Sequence, residues 1–272
     1  MALDIVRAES LGEAATLLAT DDGARFLAGG TFLVRALTAG DPSIRKFILA
    51  DGLGLDAVRI GESDTVTIGS AVTMARLAAE PGLDFLAPVA DSIGGPAVRT
   101  MATVGGNLFA LSPYGDFTVA LLALGAAVIC ATPEGDTIAD LESFLADGAQ
   151  RGALVRAVRF RTPPAGAFRY RKVTRKHPHG ASVLSIAAVL PVIDGRLAGP
   201  RIAYGAVAPR PMRAKAVEAA LDGRPLDAAT IADAVRAACE GTAPEDDPQA
   251  SAWYRRAVLP VHLRRLLTGE PA

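Results

Sequence analysis

The chain has 272 residues, half of them hydrophobic and 21% charged, which suits two or three modest domains with real cores and excludes a disordered chain. Lys plus Arg total 28 against 29 for Asp plus Glu, and a formal net charge of -1 argues against a dedicated nucleic-acid binder. The longest apolar run, Val119 to Ala131, is broken by Gly125 and falls short of the ~20 residues that span a bilayer. No charged-then-apolar leader follows Met1, so the expected compartment is the cytoplasm.

The first segment reads as a helix over Leu11–Leu18, a strand over Ala24–Ala28, the pair Gly29-Gly30 and a helix over Thr31–Leu37 stopped by Gly40. Phe47–Leu49 is a further short strand. A second segment runs from about Leu55 to Pro163. It holds a strand over Val66–Gly69 and helices over Met74–Ala79 and Phe85–Ile93. A structured loop over Met101–Asp116, a helix over Phe117–Leu124 and strands over Ala126–Ala131 and Leu154–Arg161 follow. Beyond the Pro163-Pro164 pair, Phe168–Val173 and Ala181–Leu190 alternate like strands. Asp194-Gly195 is a hairpin turn signal with Arg201–Ala208 as the returning strand. Helices over Ala214–Leu221, Ala228–Cys239 and Ser251–Leu267 complete a small α+β domain. Domains are therefore expected over residues 1–164, with subdomains of about 1–54 and 55–164, and over residues 165–272.

Cys130 and Cys239, the only cysteines, lie far apart and outside any C-x-x-C pair. Buried free thiols are expected of them in preference to a disulfide. An all-cysteine iron–sulfur cluster within this chain is excluded, because it needs four thiolates.

The most informative features are two Gly-Gly segments, Ala28-Gly29-Gly30-Thr31 and Thr103-Val104-Gly105-Gly106-Asn107. A phosphate needs converging backbone N–H donors, and glycine keeps side chains out of the way. A helix N-terminus adds a favourable field. Either segment alone also fits an ordinary turn. Neither is a G-x-x-x-x-G-K-[ST] or a G-x-G-x-x-G loop, so the usual nucleotide fingerprints are missing.

Asp116 suits two roles, an N-cap for the following helix, which local sequence favours, or an acceptor for ligand hydroxyls. The basic run Arg169, Arg171, Lys172, Arg175 and Lys176 could meet nucleic acid, an acidic partner or a reduced cofactor, or be a solvated strand. His177 and His179 flank it, but no third ligand lies nearby and His262 is distant, so a cofactor- or partner-lining loop is preferred to a metal site. No nucleophile elbow or H-E-x-x-H marks a hydrolase.

Taken together, the two Gly-Gly segments and Ser112-Pro113-Tyr114-Gly115-Asp116 resemble the FAD-binding (medium) subunit of the molybdenum hydroxylases, the xanthine dehydrogenase and aerobic carbon monoxide dehydrogenase type. Ile68 to Thr73, Ala206 to Pro211 with Glu218, and Asp247 to Arg256 extend the resemblance over essentially the whole chain. It implies an α+β fold: a two-subdomain vanillyl-alcohol-oxidase (PCMH-type) FAD fold plus a C-terminal α/β domain like that of the CO dehydrogenase flavoprotein. It places the FAD pyrophosphate between the Gly-Gly segments. Phe26, Leu27, Ala28, Gly29, Gly30, Thr31, Phe32 and Leu33 would line the first half of the site, and Ile93 and Gly94 the adenine side. Thr103, Gly105, Gly106, Asn107 and Asp116 would bind phosphate and ribityl groups. Leu154 would be an apolar flavin contact and Lys172 the lysine near the isoalloxazine. Phe32 departs from the Asp or Asn common there in the family, and the loop from Arg175 to Gly180, which lies near the flavin in relatives and varies widely among them, would let His177 or His179 tune acceptor access.

The resemblance also implies an electron relay. A large subunit with a molybdopterin cofactor would oxidise substrate. Two [2Fe–2S] clusters of a small subunit would carry the electrons to FAD, and NAD, a quinone, oxygen or another carrier would accept them. The assembly would be a dimer of heterotrimers. A stand-alone flavin oxidoreductase is the alternative, but no convincing acid/base set is visible for one.

Overall fold

The structure, a computed structural model, describes residues 3–146, 153–176 and 180–270. The chain divides into two compact units. The first comprises Met1–Asp91, Gly95–Ala110 and Ala126–Arg161; the second comprises Ser92–Gly94, Leu111–Gly125 and Thr162–Ala272.

The first unit opens with β1 (Asp4–Arg7), α1 (Leu11–Thr20), β2 (Ala24–Leu27), α2 (Leu33–Thr38) and β3 (Lys46–Leu49). Ser10 caps α1 by accepting from the Glu13 amide, while the Glu13 carboxylate reaches back to the amide of Glu9, a variant of the capping box. The strands lie in the order β1-β3-β2, both neighbours parallel to β3, and α2 with its turns makes the β2-to-β3 crossover. Ala14, Ala15 and Leu18 of α1 bury against Ala24, Ile48 and Leu154.

A five-stranded antiparallel sheet completes this unit. Its strands are β4 (Val58–Ile60), β5 (Thr65–Gly69), β6 (Ala127–Thr132), β7 (Gly135–Asp140) and β8 (Leu154–Arg161), in the order β4-β5-β8-β6-β7. Between β5 and β6 run the short helices α3 (Met74–Ala78), α4 (Ala87–Asp91), α5 (Pro96–Arg99) and α6 (Val104–Leu108), then α7 (Asp116–Ala123) of the second unit; α8 (Leu141–Ala146) follows β7. Two expectations change here. The helix expected over Phe85–Ile93 is a 3-10 turn (Asp84–Leu86) and then α4, whose Pro88 sits in the first turn where a missing N–H is harmless. The stretch expected as loop over Met101–Asp116 contains α6, because the Thr103 hydroxyl caps it by accepting from the Gly106 amide.

The second unit is built on an antiparallel sheet. Its strands in chain order are β9 (Phe168–Thr174), β10 (Ser182–Val189), the small ribbon β11 (Val192–Ile193) and β12 (Arg196–Leu197), β13 (Arg201–Gly205) and β14 (Met212–Arg213). The four-stranded order is β14-β13-β10-β9. Asp194 and Gly195 take φ of 51° and 75°, the two left-handed positions of a type I′ turn, and close the small ribbon. The returning strand is therefore β13, one ribbon later than the turn. All of β10 is buried, so its apparent alternation does not mark a solvent face. Leu184, Ile186 and Tyr204 face α9 (Lys215–Leu221), α10 (Ala228–Arg236) and α11 (Ala252–Thr268) in one apolar cluster. The alternate face carries α7, with Val119 seated over Gly205.

Within α11, Pro260 has no N–H for the carbonyl of Arg256 one turn earlier. The Cys239 thiol donates to that carbonyl at 3.4 Å. Both cysteines are free, but each is only partly buried, less than the sequence suggested. Among the described residues, no helix is long and apolar enough to cross a membrane.

Candidate functional site

The first Gly-Gly segment leaves the end of β2 in the first unit. Leu27 is still in the ladder, opposite Leu49. Gly30 turns the chain with φ of 71°, and its carbonyl accepts from the Val34 amide. The amides of Gly29, Gly30 and Thr31 donate to no acceptor among the described residues. Phe32, exposed at the head of α2, offers no side-chain cap. Successive unpaired amides around a left-handed residue form an anion-binding concavity.

The second Gly-Gly segment lies against the first. A Cβ built on Gly29 would stand 1.8 Å from the Met101 carbonyl oxygen and 3.3 Å from Thr103 Cγ2. Gly29 is therefore required by the close approach of the two segments. Gly105 is likewise a packing glycine, its Cβ position lying 2.7 Å from Ser70 Cβ. Four of the amides here are used within the protein: Val104 donates to Val72, Gly105 to Ser70, Gly106 to the Thr103 hydroxyl and Asn107 to the Thr103 carbonyl, while that of Thr103 meets no acceptor among the described residues. The Asn107 side-chain amide also donates to the Thr103 carbonyl at 2.9 Å. Free amide donors thus lie in the first segment and at Thr103 of the second, which also presents the exposed Gly106 as a face without a side chain.

Between these segments the first unit holds a groove of about 680 Å³, within the ~300–1,000 Å³ usual for ligand sites. Leu27, Ala28 and Gly29 line it together with Met101, Thr103, Ala71, Thr73 and the Leu49, Ala50, Asp51, Asp56 stretch. Leu49, Ala50, Asp51 and Asp56 carried no motif in the sequence; the register of β2 against β3 brings Leu49 opposite Leu27, with the other three following it along the chain. Leu154 lies elsewhere. Its side chain is 1% exposed in the cluster beneath α1, so it has no surface to offer a ligand.

The remaining candidates belong to the second unit. Asp116 is the first residue of α7, not its N-cap; Gly115, with φ of 90°, holds that place. The Asp116 carboxylate is buried, accepts from the Ser182 hydroxyl at 2.6 Å and pairs with the Lys172 ammonium at 2.8 Å. Lys172 also donates to the Ser92 carbonyl at 2.8 Å, one residue before Ile93 and Gly94. The Tyr170 hydroxyl meets the Ser92 hydroxyl at 3.1 Å. Burial, then the Asp116 charge, pushes that phenol well above its ordinary range. Ser182, Ser92 and Tyr170 were missed from the sequence. Ser182 left one trace, a serine at the head of an apolar strand, where a buried hydroxyl must find a partner.

The basic run is not a solvated strand. Arg169 donates to the Leu266 and Leu267 carbonyls, buried Arg171 to that of Glu270, and Arg175 to that of Pro248. Two of these arginines thus cap the C-terminal end of α11, where cations are favoured. His177 and His179 lie outside the described residues. The imidazole of His262 is held below its usual range by burial, with Arg171 and Arg265 adding repulsion. No cluster able to hold a metal occurs among the described residues.

Residues 1–162 match the model described as the FAD binding domain in molybdopterin dehydrogenase, and residues 168–269 match the CO dehydrogenase flavoprotein C-terminal domain. The glyceraldehyde dehydrogenase medium chain of Sulfolobus acidocaldarius is 28% identical, the match covering 94% of each chain. The putative xanthine dehydrogenase FAD-binding subunit of Escherichia coli is 26% identical over 98% of this chain and 95% of the other. Among solved structures, the carbon monoxide dehydrogenase from Hydrogenophaga pseudoflava lacking the Mo-pyranopterin moiety superposes with a TM-score of 0.91 at 26% identity, covering 98% and 96% of the two chains. This chain belongs to the family of FAD-binding domains of molybdopterin dehydrogenases, which are oxidoreductases, and carries the CO dehydrogenase flavoprotein C-terminal domain behind it.

Proposed function

We propose that this chain is the electron-transfer flavin subunit of a multi-subunit molybdenum hydroxylase working in the cytoplasm. It would receive electrons from two [2Fe–2S] clusters of a small subunit and pass them to an external acceptor such as NAD, a quinone or oxygen. A large subunit with the molybdopterin cofactor would oxidise the substrate, in a dimer of heterotrimers. The relatives named as a medium chain and as an FAD-binding subunit support this division of labour.

The observation that carries the flavin assignment is the groove beside three unpaired amides, those of Gly29, Gly30 and Thr31. These residues fit a pyrophosphate: the donors are free, and Ala28 to Gly30 puts nothing larger than a methyl group in the way. Ala28, Gly29 and Thr103 would hold that part, and Gly106 leaves room for it. By the family resemblance, Asp116 and Lys172 would serve the ribityl and isoalloxazine parts, and Ile93 and Gly94 the adenine. When bound, FAD supplies the redox chemistry, exchanging electrons singly or in pairs. The chain binds it, orients it and sets its electrostatics.

Purification of the chain with its native partners tests the proposal. The expected preparation is coloured, releases one FAD per copy of this chain on acid treatment, and contains two further polypeptides with iron and molybdenum. A colourless preparation that fails to take up added FAD would overturn the flavin reading. FAD bound to this chain in a preparation without partners, iron or molybdenum would overturn the multi-subunit reading alone.

A further inference from the structure

We propose that Ser182 is a positioning residue for the Lys172 ammonium, acting through Asp116. The inference rests on the reading of Lys172 as the cation beside the flavin. Asp116 opens α7, so its main chain is fixed by the helix. Its carboxylate, however, turns about an sp³–sp² bond whose torsional preference is broad. Two partners pin it: the Ser182 hydroxyl on Oδ1 at 2.6 Å and the Lys172 ammonium on Oδ2 at 2.8 Å. Ser182 is wholly buried, and the acid and the lysine are both more than nine-tenths buried at the side chain. In such surroundings a hydrogen bond to a charged group is strong and its loss is felt by its neighbours.

The consequence reaches Lys172 by geometry and by charge. An ammonium has three N–H donors. Asp116 Oδ2 and the Ser92 carbonyl take two, and the third meets no acceptor among the described residues. Its direction is fixed by the other two, and one of those depends on Ser182. The Ser182 hydroxyl also draws carboxylate charge towards Oδ1, which leaves the lysine less fully neutralised. Without that hydroxyl, Asp116 is a stronger counter-charge and Lys172 stabilises a reduced, anionic flavin less well.

Redox titration of bound FAD in the assembled complex tests this. Ser182→Ala is expected to weaken binding of the reduced relative to the oxidised cofactor three- to tenfold. That is about 15–30 mV downward, at ~30 mV per tenfold for a two-electron couple. Ser182→Thr keeps the hydroxyl and is expected to hold the wild-type potential. Lys172→Met lowers the potential by itself, and adding Ser182→Ala to it is expected to change nothing further, as coupled sites require. An unchanged potential in Ser182→Ala, or an equal shift with and without Lys172, would overturn the proposal while leaving the flavin reading intact. Wild-type protein that takes up no FAD would overturn both.

Discussion

A methyl group at position 29 would meet the Met101 carbonyl oxygen at 1.8 Å, whereas one at position 106 would meet only Thr103 Oγ1, at 3.0 Å. Glycines that look alike in sequence therefore do different work. Gly29→Ala must push two backbone segments apart, and is expected to cost about 1–3 kcal/mol in thermal unfolding of the cofactor-free protein. Gly106→Ala sits on an exposed turn of α6 and is expected to stay within about 0.5 kcal/mol of wild type. Its effect should appear instead as weaker FAD uptake in a binding titration. The sequence offered one rationale for both Gly-Gly segments, amides freed for a phosphate; in the first the glycine amides are unpaired, while in the second Gly105 packs against Ser70 and its amide is used within the protein. The cap expected of Asp116 failed for a related reason. Capping is a local pattern, but the partners that set this carboxylate's role, Lys172 and Ser182, lie on strands far along the chain.

Elements with long apolar patterns and explicit ends were legible. α1 begins after Ser10 and α11 after Ser251, each serine accepting from an amide three residues on, and β8 runs over the residues expected of it. β7 was missed because it is an edge strand exposed at every position, so it carries no alternation to detect. The four-residue α5 was missed because one turn shows no period. Within α11, the proline that sequence rules would treat as a break is tolerated, because Cys239 answers the carbonyl it orphans. Cys239→Ser keeps a donor there, while Cys239→Val fills the space without one. Chemical denaturation should find the valine variant less stable than the serine variant by about 1 kcal/mol, the net worth of one hydrogen bond. Equal stabilities would show that the thiol only fills volume.

At the scale of the molecule, the chain passes back and forth between its units, lending Ser92–Gly94 and Leu111–Gly125 from its first half to the second unit. α7 covers β10 and β13 on the face opposite the C-terminal helices. A piece consisting of residues 165–272 alone would leave that face bare, and is expected to show no cooperative thermal transition by circular dichroism. Joining residues 111–125 ahead of it should restore one. A sharp transition in the unaided piece would mean that α7 is dispensable to the sheet. The last crossing falls between Arg161 and Thr162, and nothing local to residues 111–125 announces that they pair with strands not yet reached.

That borrowed helix sets a schedule for the ribosome. α7 emerges well before the strands it covers, and all eight of its residues are buried in the finished protein. At ~5–20 residues per second, several seconds separate its appearance from the completion of β10 and β13. Throughout that interval the nascent chain carries an apolar helix with nowhere to dock. Slowing elongation between residues 125 and 205 would lengthen the wait, and speeding it would shorten the time in which a chaperone must stand in for the sheet.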